Sequence, residues 1–177
     1  MASYKDLLGP DGTGNNMGGT RQFLYFGRHA EVKTWGAPEA APVNPEDAYS
    51  IKTPHVMEVG KKMNQIYCTA DTSELEAALQ GERDGKSSKL SLKFNHPGSK
   101  KEIIVFQNQI KNDKSFWIVP LPDGTMIQMG NAHWSCDVSP VFKTNKNSSS
   151  RLTEFTVECM MEDIILYEAA VPLTPAV

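Results

Sequence analysis

Between residues 88 and 95 the side chains alternate one for one. Ser88, Leu90, Leu92 and Phe94 fall on one side of an extended chain, and Lys89, Ser91, Lys93 and Asn95 on the other. A helix repeats its faces every 3.6 residues and cannot sort this pattern, whereas a strand with one buried face sorts it completely. The segment therefore predicts a strand in a sheet that has a wet side.

Several further segments read as strands. Residues 22–28 are aromatic and extended in character, and 31–35 continue that strand or start its neighbour. Residues 62–70 follow. Residues 116–121 and 126–129 form a hairpin about the Pro122-Asp123-Gly124 turn. Residues 135–142 and 152–160 are separated by the polar stretch KTNKNSSSR, and 164–171 supply a last strand before the tail 172–177. One helix is predicted over 99–112. Pro97-Gly98 ends the preceding strand, Ser99 and Glu102 spell the S-x-x-E capping box, and Ile103, Phe106 and Ile110 make its buried stripe. Residues 73–80 (SELEAALQ) have helical propensity but only two turns of length, which leaves a helical turn and an extended connection both open.

Two segments lack such patterns. Residues 1–20 are glycine-rich, end in Gly18-Gly19-Thr20, and predict an arm with little to bury. Residues 36–55 carry Pro38, Pro42, Pro45 and Pro54, a composition that argues against regular helix and central strand alike. Loops of this length are uncommon in a compact domain and tend to serve a function, and prolines lower the entropic cost of ordering them.

The chain of 177 residues is the size of one domain able to bury a core without disulfides or metal. Its 18 basic and 21 acidic side chains give a net charge of -3, without the basic excess that grips nucleic acid. Cys68, Cys136 and Cys159 are odd in number, widely spaced and set in strand-like apolar stretches, which argues against a disulfide framework. The opening MASYKDLLGPDG has no secretory signature, and no apolar run is long enough to span a bilayer. The expectation is a single soluble domain, residues 1–177, folding in a reducing cytoplasm.

Motifs of catalysis are missing or incomplete. Gly81-Glu82-Arg83-Asp84-Gly85-Lys86-Ser87 resembles a phosphate-binding P-loop but is one residue short between its glycines, and it leads into a strand where the motif opens a helix. His29, His55, His96 and His133 show no metal-ligand spacing, and no cysteine lies near another in sequence. There is no G-x-S-x-G elbow, and the cysteines read as small hydrophobes. Asn147-Ser148-Ser149 fits a glycosylation acceptor, but nothing directs the chain to secretion. No enzyme, cofactor or metal is expected.

More informative are two faces. On residues 152–160, Glu154, Thr156 and Glu158 oppose Phe155, Val157 and Cys159; on 135–142, Ser135, Asp137 and Ser139 oppose Cys136, Val138 and Phe142. Two strands thus offer a face of hydroxyls and carboxylates. In an antiparallel sheet that pattern also describes an ordinary solvated side.

In order along the chain, Gly18-Gly19-Thr20-Arg21-Gln22-Phe23-Leu24-Tyr25-Phe26-Gly27-Arg28, the GERDGKS stretch, the Asn95-His96-Pro97-Gly98 turn into the helix, Asn112-Asp113-Lys114, Val119-Pro120-Leu121-Pro122-Asp123-Gly124-Thr125, and the stretch from Lys143-Thr144-Asn145 to Phe155 form a pattern. It resembles the tail tube proteins of tailed phages and prophages, particularly those of Bacteroidetes-type hosts. Such proteins often carry glycines where this chain has Asn147-Ser148-Ser149-Ser150-Arg151. The resemblance implies an α+β, mainly β fold of two packed antiparallel sheets, a β-sandwich or split barrel with one flanking helix. It also implies hexameric rings that stack into a tube in the virion tail, assembled in the bacterial host cytoplasm. Its partners would be copies of itself, a tape measure protein and a tail terminator, with DNA passing through the lumen without sequence specificity.

On that reading Asp137, Glu154, Thr156 and Glu158 face the lumen, where carboxylates present no row of Lys or Arg to stall a polyanion. Gly18, Gly19, Trp35, Pro38, Pro42, Pro45 and Tyr49, from the arm and the proline-rich loop, make contacts between protomers or rings. Two other readings accompany it: a ring-forming tube protein of a contractile injection system, and a small β-barrel binding module. The second would need a convergent pocket or an aromatic row that Trp35, Trp117 and Trp134 do not form.

Overall fold

The computed structural model describes residues 17–98, 100–144 and 151–177. The first sixteen residues, Ser99 with its proposed capping role, and most of the polar stretch between the last long strands lie outside the described residues. In chain order the strands are β1 (Phe23–Arg28), β2 (Val32–Thr34), β3 (Ser50–Ile51), β4 (Val56–Met57), β5 (Asn64–Tyr67), β6 (Glu74–Gln80) and β7 (Ser87–Pro97). After helix α1 (Lys101–Ile110) come β8 (Ser115–Pro120), β9 (Met126–Met129), β10 (Asp137–Lys143), β11 (Leu152–Met161) and β12 (Ile165–Tyr167). The fold is mainly β, with antiparallel sheets packed together and, among the described residues, one α-helix.

The larger sheet runs in the order β3-β12-β9-β8-β1-β5, and every neighbouring pair in it is antiparallel except β12 with β3. The smaller runs β10-β11-β7-β6, antiparallel throughout. A two-stranded ribbon pairs β2 with β4. The alternation in β7 does what its sequence predicts. Ser88, Leu90, Leu92 and Phe94 are buried, and Leu90, Leu92 and Phe94 share a core with Phe155 and Val157 of β11 and with Leu24, Trp117 and Val119 of the larger sheet. Phe94 and Phe155 stack with ring centroids 5.0 Å apart.

Strand β8 is buried along its whole length. Trp117 and Val119 enter the core between the sheets, while Phe116 and Ile118 enter a second core on the far face of the larger sheet. Ile51, Met57, Met63, Tyr167 and Ala169 complete that second core. The two sheets are also tied at one corner, where Cys136 donates its amide to the Ser115 carbonyl at 2.7 Å.

Helix α1 lies over the first core. Ile103 and Ile110 are buried, and the Phe106 ring meets Phe26 and Phe155 edge-on at 5.0 and 5.7 Å. It is shorter than the predicted 99–112. Lys100 holds the N-cap position with no side-chain hydrogen bond to the helix.

Residues 73–80, open from sequence alone, are resolved as strand β6, whose ladder with β7 runs from Glu74↔Lys93 to Gln80↔Ser87. Cross-strand bonding to a strongly patterned neighbour outweighs the helical preference of Glu, Leu and Ala in so short a segment.

The predicted loop 36–55 is only partly irregular. Pro45 opens a 3-10 turn, Pro45–Tyr49, at a position where no amide is needed, and the proline-free residues after it form β3, parallel to β12. Ile51 is buried in the second core, so this segment has an anchor that its proline count concealed.

Leu92→Ala, at a fully buried position, should cost about 2–5 kcal/mol in chemical denaturation. Val141→Ala, on the exposed side of β10, should stay within about 0.5 kcal/mol of the parent. Equal losses at the two positions would mean that the faces of the smaller sheet have been assigned the wrong way round.

Candidate functional site

The smaller sheet carries its inner face against the core and leaves its outer face open. Register brings the four candidate lumen residues onto that outer face. Asp137 on β10 sits opposite Glu158 on β11, Ser139 opposite Thr156, and Val141 opposite Glu154. The same ladder continues into β7, where Glu158 faces Ser91 and Thr156 faces Lys93, and on to β6, where Lys93 faces Glu74 and Ser91 faces Glu76.

The neighbouring strand corrects the picture of a face without cations. Lys89 and Lys93 project from β7 between two acidic strands, and Lys143 joins them from β10. Lys89 Nζ lies 2.8 Å from Glu158 Oε1, and Lys143 pairs with Glu154. Five carboxylates, Glu74, Glu76, Asp137, Glu154 and Glu158, thus share the face with three ammonium groups. The surface is acidic in balance and mixed in detail. Its half-exposed ion pairs are worth no more than about 1 kcal/mol each.

The edges of this sheet are less balanced than its face. Following the inner face outward to β6, Leu75 is half-buried, Ala77 is exposed, and Leu79 is 70% exposed. Across the sheet on β10, Val138 is buried, but Phe142, on the same inner face, is 41% exposed. Each edge therefore carries a large apolar side chain, directed as the core residues are, that is left exposed among the described residues. Sequence reasoning missed both. The signal for Leu79 was present as the period-two set Leu75, Ala77, Leu79, hidden because the segment also reads as helix.

The remaining candidate residues divide. Gly18 and Gly19 are exposed, and the next residue, Thr20, bonds the Ser73 hydroxyl through its own hydroxyl at 2.8 Å, which ties the end of the arm to the start of β6. Pro45 and Tyr49 are exposed, whereas Pro38 and Pro42 are half-buried. Trp35 is engaged inside the chain, with its ring 4.8 Å from Phe116, 4.9 Å from His29 and 5.1 Å from His55.

GERDGKS forms the turn between β6 and β7, with Gly81 at φ +106 and Asp84 at φ 73. A strand follows, and the turn lacks the helix N-terminus that a phosphate site requires. Among the described residues no three His, Cys, Asp or Glu side chains converge to hold a metal ion, and no helix is long and apolar enough to cross a membrane.

A buried polar network lies beneath Trp35. Gln128 donates through Nε2 to the Gly130 carbonyl at 2.8 Å, so its Oε1 must accept, and it does so from His55 Nε2 at 2.8 Å. His55 Nδ1 in turn accepts the Gly36 amide at 3.0 Å. Both ring nitrogens are committed to the neutral form. A side chain at Gly36 would overlap the Thr53 carbonyl, so only glycine brings its amide this close. Burial lowers the His55 pKa from its ordinary 6.5, partly offset by the bond to Gln128.

A group whose folded pKa is lowered stabilises the fold fully above its unfolded value. That contribution declines as the pH falls below about 6.5 and is gone once the folded value has been passed. His55→Gln should therefore be less stable than the parent near neutrality, with the gap narrowing as the pH falls from about 7 towards 5 in parallel denaturant titrations; a gap independent of pH would contradict the neutral assignment. No protein-family model, curated protein or solved structure matches the chain, so the geometry of this sheet, its open face and its two edges is what a functional reading has to build on.

Proposed function

We propose that the protein is a ring-forming tube protein, the tail tube subunit of a tailed phage or prophage, whose hexameric rings stack into a conduit for DNA. The observation that carries the reading is the smaller sheet: among the described residues, four antiparallel strands with both outer strands open and an exposed apolar residue of the inner face on each. In an even-numbered antiparallel sheet the two edges run in opposite directions. When a rotation carries one copy onto the next, β6 of the first meets β10 of the second antiparallel, and each repeat of the operation extends the same ladder. Closing the ring removes both edges.

Leu79 and Phe142 sit at diagonally opposite corners, since Leu79 pairs with Ser88 in the row of Met161 and Phe142 pairs with Thr153 in the row of His96. Bringing such corners together requires a stagger between copies, which is also what closing a sheet into a barrel requires. The outer face then lines the lumen, where Lys89 and Lys143 are paired to carboxylates and the acidic excess leaves little to hold a passing polyanion. The quoted residue pattern supplies the phage assignment, with a tape measure protein and a tail terminator as partners, the virion tail as the destination and the host cytoplasm as the place of assembly.

Electron microscopy of the purified protein at high concentration should show rings or tubes of uniform width. Leu79→Lys should abolish them while leaving the melting transition of the isolated chain within about 0.5 kcal/mol of the parent, because the position is largely exposed. A parent protein that stays monomeric at every concentration, or a Leu79→Lys variant that assembles as before, would remove the basis of the reading.

A further inference from the structure

Register places two of the three cysteines opposite each other. The β10–β11 ladder ends at Asp137 opposite Glu158; continuing its register one step sets Cys136 against Cys159, and the two thiols interact. The type of pair follows from two independent features. The Cys136 amide is directed away from β11 to the Ser115 carbonyl, and Pro140, of the same parity along β10, has no amide to offer β11. Cys136 and Cys159 therefore occupy a non-hydrogen-bonded site, where Cα atoms approach to about 4.5 Å and side chains are closest. That separation lies inside the roughly 4.4–6.8 Å that a disulfide bridges. Cys136 Sγ borders Gly130, where a Cβ would stand 3.3 Å from it, and the Gly130 amide is given to Met161 Sδ at 3.2 Å.

The pair is also asymmetric. Cys159 lines a cavity of about 420 Å³ with Trp134, Ser135, Lys89 and Glu158, whereas Cys136 is not among the residues that line it. The hydrogen bond from Cys136 lowers the Cys159 pKa, while burial raises that of Cys136 well above the ordinary range. The thiolate is the reactive form, so the residue that lines the cavity, itself only 3% exposed, is also the one whose thiol is more readily ionised.

We propose that Cys159 and Cys136 are a reactive and a resolving thiol, converted by a hydroperoxide into a disulfide that locks β10 to β11. The Cys159 thiolate attacks one peroxide oxygen; a sulfur–oxygen bond forms, the oxygen–oxygen bond breaks, and hydroxide leaves and takes up a proton as water. Cys136 then loses its proton and attacks the Cys159 sulfur; the sulfur–sulfur bond forms and the second oxygen leaves as water. Two thiols are oxidised and one hydrogen peroxide is reduced to two waters. This inference does not depend on the tube reading.

The purified, reduced protein is treated with hydrogen peroxide, quenched and unfolded in an alkylating agent. Free thiols should fall from three to one, the survivor being Cys68. Trypsin, cutting after Lys143 and Arg151, then releases Cys136 and Cys159 on separate peptides that remain joined until dithiothreitol is added. In Cys136→Ser the sulfenic acid of Cys159 should instead be captured by dimedone. Loss of Cys68 in place of the pair, sulfinic acid at Cys159 in the parent without a joined peptide, or three alkylated thiols after full consumption of the peroxide would overturn the proposal. Should Cys136→Ser fail to fold, the peptide map of the parent decides alone.

Discussion

Strand β8 has no face to give to solvent, and both cores are built on it. Trp117 and Val119 fill the space between the sheets, Phe116 and Ile118 fill the space behind the larger one, and the Trp117 indole is satisfied locally by the Ser115 hydroxyl at 3.0 Å. A strand buried on both faces must be covered by two separate layers. The first layer is the smaller sheet with helix α1. The second is the β2–β4 ribbon, Met63 and the segment after β12, with Ile51 reaching in from the sheet's edge strand β3. The short strands are thus held by packing onto β8 and its neighbours more than by their own few ladder bonds.

The parts legible in the sequence were those in which a single strand states its own surroundings. β7 announces a half-buried sheet through side-chain alternation, and Ile103, Phe106 and Ile110 announce one face of α1. What stayed hidden depends on a partner. β6 is made of helix formers and becomes a strand because β7 is beside it; β3 is two residues in a stretch whose prolines dominate its composition. Trp35 gave no periodic signal of its burial, and only the fold places His55 and Phe116 around it.

The candidate surface shows the same division. Glu154, Thr156 and Glu158 were readable as one side of a strand, and so were Lys89 and Lys93 on another. That the two sides are the same side follows only from the β7–β11 register, which turns an acidic stripe into a mixed-charge surface. Pro140 has a comparable double meaning. In sequence it weakens the case for a strand, yet on an outer strand its missing amide removes one donor from the exposed edge. That edge is open to a partner of matching register and poorer as a template for indiscriminate pairing.

Because the smaller sheet contributes an even set of strands with oppositely directed edges, the rule for adding a copy is the same at every addition and carries no count. If copies join in this way, the number that closes a circle is decided by the tilt and stagger at each joint, that is, by how the side chains at two corners fit. The bore of such an assembly would then be a property of a few contact residues and not of the fold, and a small change at Leu79 or Phe142 could alter the width of the passage without disturbing the core behind it.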